Sequence, residues 1–253
     1  MNSAPASGHR TTAILQGLLI AFLWSTSWVL IKFGLVEIPP VVFAGVRYFL
    51  AFLILLLAFL LSTRRQRAAS LPRPMWRRLI IVGLLQYAIA QGAMFVALDH
   101  LPAVTVNLLL NFTTLGVALI SAGWLAEKPS LLQWGGIWLA LVGALVYFYP
   151  AAIPRAQWIG LLAAALCVTA NVLGVIVGRD INRSLQHPPL QVTVVSMGAG
   201  ATALLAAGLL LEGIPSISPR NWLFILWLAA VNTAFAYTLW NHTLRTLTAT
   251  ESS

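Results

Sequence analysis

The chain has 253 residues, 60% of them hydrophobic and 8% charged, with a mean hydropathy of +0.88, whereas a soluble domain carries roughly 25% charged residues. That balance excludes an ordinary water-soluble fold. The 15 Lys and Arg against 6 Asp and Glu give a net charge of +9, so the position of the cations must decide between nucleic acid and membrane as the cause.

A helix needs about 20 mainly apolar residues to cross a hydrocarbon core roughly 30 Å thick. Taken in chain order, residues 12–34, 40–61, 76–98, 103–125, 131–149, 157–177, 189–211 and 221–241 approach that requirement. Runs such as 50–61 are continuously apolar instead of alternating with period two, which selects helices over a β-barrel. Arg10 ahead of the first run is reminiscent of a secretory signal, but the run is long enough to span and is followed by further spans. The expected fold class is therefore all-α, a polytopic helical membrane bundle with about eight helices in this chain.

With the N-terminus in the cytoplasm, Arg10, Arg64, Arg65, Arg67, Arg73, Arg77, Arg78, Lys128, Arg179, Arg183 and Arg245 all fall inside. Only Arg155 and Arg220 fall outside, and Lys32 and Arg47 lie within spans. This is the positive-inside bias, and it explains the basic balance with a lipid bilayer as partner and no nucleic acid. The arginines between 64 and 78 should also lie against anionic lipid heads. Cys167 is the only cysteine, so neither a disulfide framework nor a cysteine metal site can form. His9, His100, His187 and His242 are scattered and no carboxylates are paired at catalytic spacing, which argues against an enzyme; no cofactor or metal is expected.

The chain also repeats itself. Leu23-Trp24-Ser25-Thr26-Ser27-Trp28-Val29-Leu30 is echoed by Leu166-Cys167-Val168-Thr169-Ala170-Asn171-Val172-Leu173, Pro39-Pro40 by Pro188-Pro189, and the stretch from Ala97 to Ala103 by that from Thr243 to Ala249, at offsets of 143, 149 and 146. The first unit holds five spans, so the second must enter from the opposite face. Inverted repeats of this kind build transporters, in which two related halves alternate around a midplane site.

Leu23-Trp24-Ser25-Thr26-Ser27-Trp28, Pro39-Pro40 with Arg47, Ala97-Leu98 with Leu101-Pro102-Ala103, Ala126-Glu127-Lys128, and Gly135 with Gly143 together resemble the drug/metabolite transporter superfamily, specifically its EamA-type members. The resemblance implies two inverted units of five helices, here 12–149 and an incomplete 157–253, in a bacterial inner (plasma) membrane with both termini cytoplasmic. It implies a central cavity lined by helices one, three, four, six, eight and nine, and export or import of a small organic metabolite such as an amino acid. Helix four of such proteins usually carries a central proline; Asn111-Phe112-Thr113-Thr114 stands there instead, which argues against a hinge. The counterpart of Tyr149 falls near position 295, so a chain ending about two helices early is expected over a native eight-helix form. The alternative function is an accessory membrane subunit whose bundle a partner completes. The sequence carries no signal for oligomeric state.

Polar side chains at membrane depth are the candidate substrate-binding residues. Trp24, Trp28 and Lys32 share one face of helix one. Trp28 is expected to form an aromatic wall for an organic substrate, with helix packing as the equal alternative, and Lys32 to anchor at the interface. Arg47 is expected to find a structural partner, because helix two is peripheral in the family. Helix three offers Gln86, Tyr87 and Gln91, and helix eight Asn232, Tyr237 and Asn241; Gln91 and Tyr237 are equivalent under the offset of 146. Asn107 and Asn111 face together on helix four, and Asn171 is the counterpart of Trp28. The plain alternative for each amide is an interhelical hydrogen bond, worth about 0.6 kcal/mol. Glu37, Asp99, Glu127, Asp180 and Glu212 lie at span ends and Glu251 at the terminus, so no proton or sodium relay is expected and a uniporter or exchanger is the simpler reading.

Overall fold

A computed structural model describes residues 7–61, 71–124, 130–148, 155–183 and 188–243, with the side chains of 12–61, 71–121, 130–147, 156–181, 188, 190–240 and 242–243. Among the described residues the chain is helical, without strands. The helices are α1 (Ser7–Gly34), α2 (Pro40–Leu61), α3 (Arg73–His100), α4 (Ala103–Leu110 continued by Phe112–Trp124), α5 (Leu131–Phe148), α6 (Trp158–Arg183), α7 (Pro189–Glu212) and α8 (Pro219–Ala229, Ala230–Phe235 and Ala236–Thr243). Seven of them are long and apolar enough to cross a membrane. The eighth, α5, has 18 residues, at the short end of the roughly 17–25 that a spanning helix uses.

Prolines set several of the starts. Pro40, Pro189 and Pro219 each occupy the first helical position, where the missing N–H would have had no intrahelical partner. The Ser218 side chain accepts the Asn221 N–H at 3.4 Å, so α8 begins two residues before its apolar run. At the start of α2 the cap comes from another helix: the Glu212 carboxylate at the end of α7 accepts the N–H groups of Val41 and Val42 at 3.1 and 2.7 Å. An anion there meets both the orphan donors and the positive end of the helix dipole.

Helices α2 and α7 cross antiparallel at the centre of the bundle. They approach so closely that a Cβ on Gly45 would lie 2.6 Å from the Leu205 Cα, and one on Gly208 would lie 2.8 Å from the Val42 Cα. Around this pair, α3 packs on α6 and α8 packs on α1. Leu15, Leu18 and Phe22 of α1 and Leu132, Leu139 and Leu145 of α5 are exposed, as lipid-facing side chains are.

Three interruptions depart from the uniform spans expected of the sequence. Both α3 and α8 contain a six-residue π-helical stretch, Leu84–Ile89 and Ala230–Phe235, separated by 146 positions. The wider turn frees a carbonyl, and in α8 the Thr233 hydroxyl donates to that of Leu228 at 2.8 Å. The third interruption corrects the expectation for α4, which breaks at Asn111 without a proline. The Asn111 N–H reaches the Leu108 carbonyl at 3.2 Å and the Thr114 N–H reaches that of Asn111 at 3.1 Å, two three-residue closures in succession where an α-helix would close over four.

Candidate solute-binding cavity

The interruptions in α3 and α4 border one cavity of about 320 Å³, which α8 lines with Tyr237 and Trp240, just past its own interruption. Such a volume is at the lower end of small-molecule sites. Of the nine candidate residues, Trp24, Trp28, Gln86, Gln91, Asn107, Asn111, Asn171 and Tyr237 line it, and the side chain of Asn241 lies outside the described residues. Asn232 is not on the lining; its amide donates to the Leu23 carbonyl and, at 3.2 Å, to the Thr26 hydroxyl, tying α8 to α1.

Tyr237 is the centre of the aromatic part. Its ring centroid is 4.9 Å from that of Tyr87 and 5.4 Å from that of Trp24, which lies 5.4 Å from Trp240. Its hydroxyl accepts from Gln91 Nε2 at 2.9 Å and lies 3.5 Å from the Tyr48 hydroxyl. Two residues equivalent under the 146-residue offset are thus bonded to one another across the cavity. The Gln86 stem rests on Gly174 of α6, where any side chain would collide with it. Asn171 donates to the Cys167 sulfur at 3.3 Å.

The two intramembrane cations behave differently. Lys32 donates to the Leu98 carbonyl in the last turn of α3, so it anchors α1 to a helix end. Arg47 overturns the expectation that helix two is peripheral. It is 2% exposed, lines the cavity beside Tyr48, and donates through Nε to the Thr233 hydroxyl at 2.9 Å. The guanidinium lies 5.3 Å from the Tyr48 ring centroid and 5.9 Å from that of Phe95, yet its Nη1 is buried without a hydrogen-bond partner. The cavity therefore draws on α2 as well as α1, α3, α4, α6 and α8. Sequence reasoning also missed Tyr48, Thr113 and Trp240 on the lining. Trp240 lies three residues beyond Tyr237 on the same helical face, a signal that could have found it.

Membrane-length helices enclosing a cavity with amide, phenol, indole and guanidinium groups define an integral, multi-pass membrane protein with room for a small solute. The chain belongs to the EamA-like transporter family, whose model matches residues 11–149 and 158–253. It is similar to the uncharacterized transporter YoaV of Bacillus subtilis, 23% identical over 252 residues that cover 95% of this chain and 82% of that protein. It is also similar to a probable amino-acid metabolite efflux pump of Salmonella typhimurium, 28% identical over 238 residues, covering 88% of this chain and 75% of the relative. A solved crystal structure superposes with a TM-score of 0.70 at 25% identity, covering 95% of this chain and 82% of the other. Membership and relatives make the protein a membrane transporter, with a small-molecule substrate and the bilayer as its partners.

Proposed function

We propose that the protein moves a small organic metabolite by alternating access between two inverted units, 12–149 and 157–253, with its N-terminus in the cytoplasm of a bacterial cell and its cavity as the substrate site. The observation that carries this reading is the bond between Gln91 and Tyr237. A residue and its repeat counterpart can touch only near the pseudo-twofold axis relating the units, so the axis runs through the cavity, where a shared site belongs. The antiparallel crossing of α2 with α7 and the paired π-helical stretches support the same symmetry. The efflux pump among the relatives favours export, and a solute of amino-acid size suits the volume.

Reconstitution into liposomes tests the reading. Labelled amino acids, 2-oxo acids, sugars and nucleosides should include at least one class with saturable flux. Flux indistinguishable from protein-free liposomes in all four classes would overturn it.

A further inference from the structure

Among the described residues Arg47 is a cation without a counter-charge. A guanidinium keeps its charge at physiological pH, and a buried charge is stable only when paired. Arg47 makes no ion pair among the described residues, and no Asp or Glu is found among the residues lining the cavity. Thr233 engages Nε and so fixes the plane of the group, leaving Nη1 buried beside the cavity with no partner. A second polar atom on the same lining, the Thr113 hydroxyl oxygen, is also buried and unpartnered.

We propose that the cavity takes an organic monocarboxylate whose carboxylate seats on the Arg47 guanidinium and whose apolar body lies against Trp24, Trp28 and Trp240. The inference rests on the transport reading and names its substrate class. A carboxylate supplies planar acceptors that suit a guanidinium better than any neutral oxygen. The rest of the lining cannot supply that charge but can shelter an apolar body. One fixed positive charge selects a solute with net charge of minus one. In a zwitterion the ammonium would lie within a few ångströms of the guanidinium in a medium of low dielectric, and the loaded site would stay positive. The preferred solute is therefore the deaminated counterpart of an amino acid, not the amino acid itself.

The test compares 3-phenylpropionate, its amide 3-phenylpropanamide, phenylalanine and sodium chloride as ligands of the purified full chain in detergent, by calorimetry and thermal shift. The carboxylate should bind roughly ten- to hundredfold more tightly than the amide, the range expected for hydrogen bonds to a charged group. It should also bind more tightly than phenylalanine. Arg47→Met should bring carboxylate and amide to equal affinity, and Arg47→Lys should retain a reduced preference for the carboxylate. Equal binding of carboxylate and amide by the wild-type protein overturns the proposal, and that comparison stands even if Arg47→Met does not fold. Phenylalanine binding as well as 3-phenylpropionate, or chloride alone displacing it at equal concentration, overturns it too. Carboxylate binding without flux in liposomes would sink the transport reading and leave the site intact. Saturable flux of solutes lacking a carboxylate, with no carboxylate preference, would do the reverse.

Discussion

Helices α3 and α8 carry the same deformation at the same place, yet put it to different uses. In α3 the π-helical stretch presents Gln86 to the cavity against Gly174 of α6. In α8 the equivalent amide, Asn232, is spent on bonds to Leu23 and Thr26 of α1, while Thr233 holds Arg47. The ends of the bundle show a similar relation. Glu37, after α1, pairs with Arg220 at 3.1 Å and Asn221 at 2.7 Å at the start of α8, and Asp180, its counterpart at the offset of 143, pairs with Arg78 near the start of α3. The scaffold is thus close to symmetric while its chemistry is not. The position equivalent to Arg47 under the 149-residue offset is Ser196, whose hydroxyl closes on the Val192 carbonyl of its own helix at 2.7 Å. Among the described residues a single charge in one half makes the cavity lining unequal at its two ends, and in the proposed site it gives a bound carboxylate one orientation.

Substitutions in matched pairs probe that division. The largest effect is expected at the shared crossing, where Gly45→Val and Gly208→Val each force a side chain into backbone. Either should cost about 1–3 kcal/mol or more, and both should lower the detergent melting temperature to a similar degree; a large inequality would mean that the halves do not lean equally on the crossing. Thr233→Val removes the partner of a buried cation and should cost about 1.5–3 kcal/mol. Ser196→Ala at the repeat position of Arg47 should cost below about 1 kcal/mol, because it loses only a bond within one helix. Equal losses in the two would contradict the asymmetry. Tyr237→Phe and Gln91→Leu break one bond between repeat-related residues, and each should raise the half-saturating solute concentration roughly three- to tenfold. A change confined to Tyr237→Phe would assign the effect to the phenol alone. The smallest effect is expected from Glu212→Gln, which weakens the charged cap on α2 by about 0.5–1 kcal/mol. An unchanged melting temperature would show that the cap carries no weight.

The spans were legible because bilayer thickness forces long apolar runs, and 40–61 agrees with α2 at both ends because Pro40 marks its start. Six of the residues on the lining, Gln86, Gln91, Asn107, Asn111, Asn171 and Tyr237, were legible for a related reason: a polar side chain at that depth has few places to go. The π-helical stretches left no trace, since Leu84–Ile89 and Ala230–Phe235 differ in composition and share only a backbone register. The break in α4 was hidden because the expected signal was proline, whereas Asn111 allows the tighter turn without announcing it. Arg47 was misplaced by an assumption about where helix two sits. Its partner Thr233 is 186 residues away in the chain, and only tertiary packing brings the two together.

The crossing of α2 and α7 has a mechanical consequence. Where Gly45 and Gly208 let backbone lie on backbone the two helices meet as a smooth bearing, and further along the Phe52 ring of α2 seats on Gly198 of α7. The Glu212 clamp on Val41 and Val42 holds one end of that bearing and resists sliding along its length. Rotation is the motion that the proposed cycle asks of it. In the proposed cycle the α3–α6 and α8–α1 pairs become the two arms of a rocker, and α2 with α7 is the axle on which they turn.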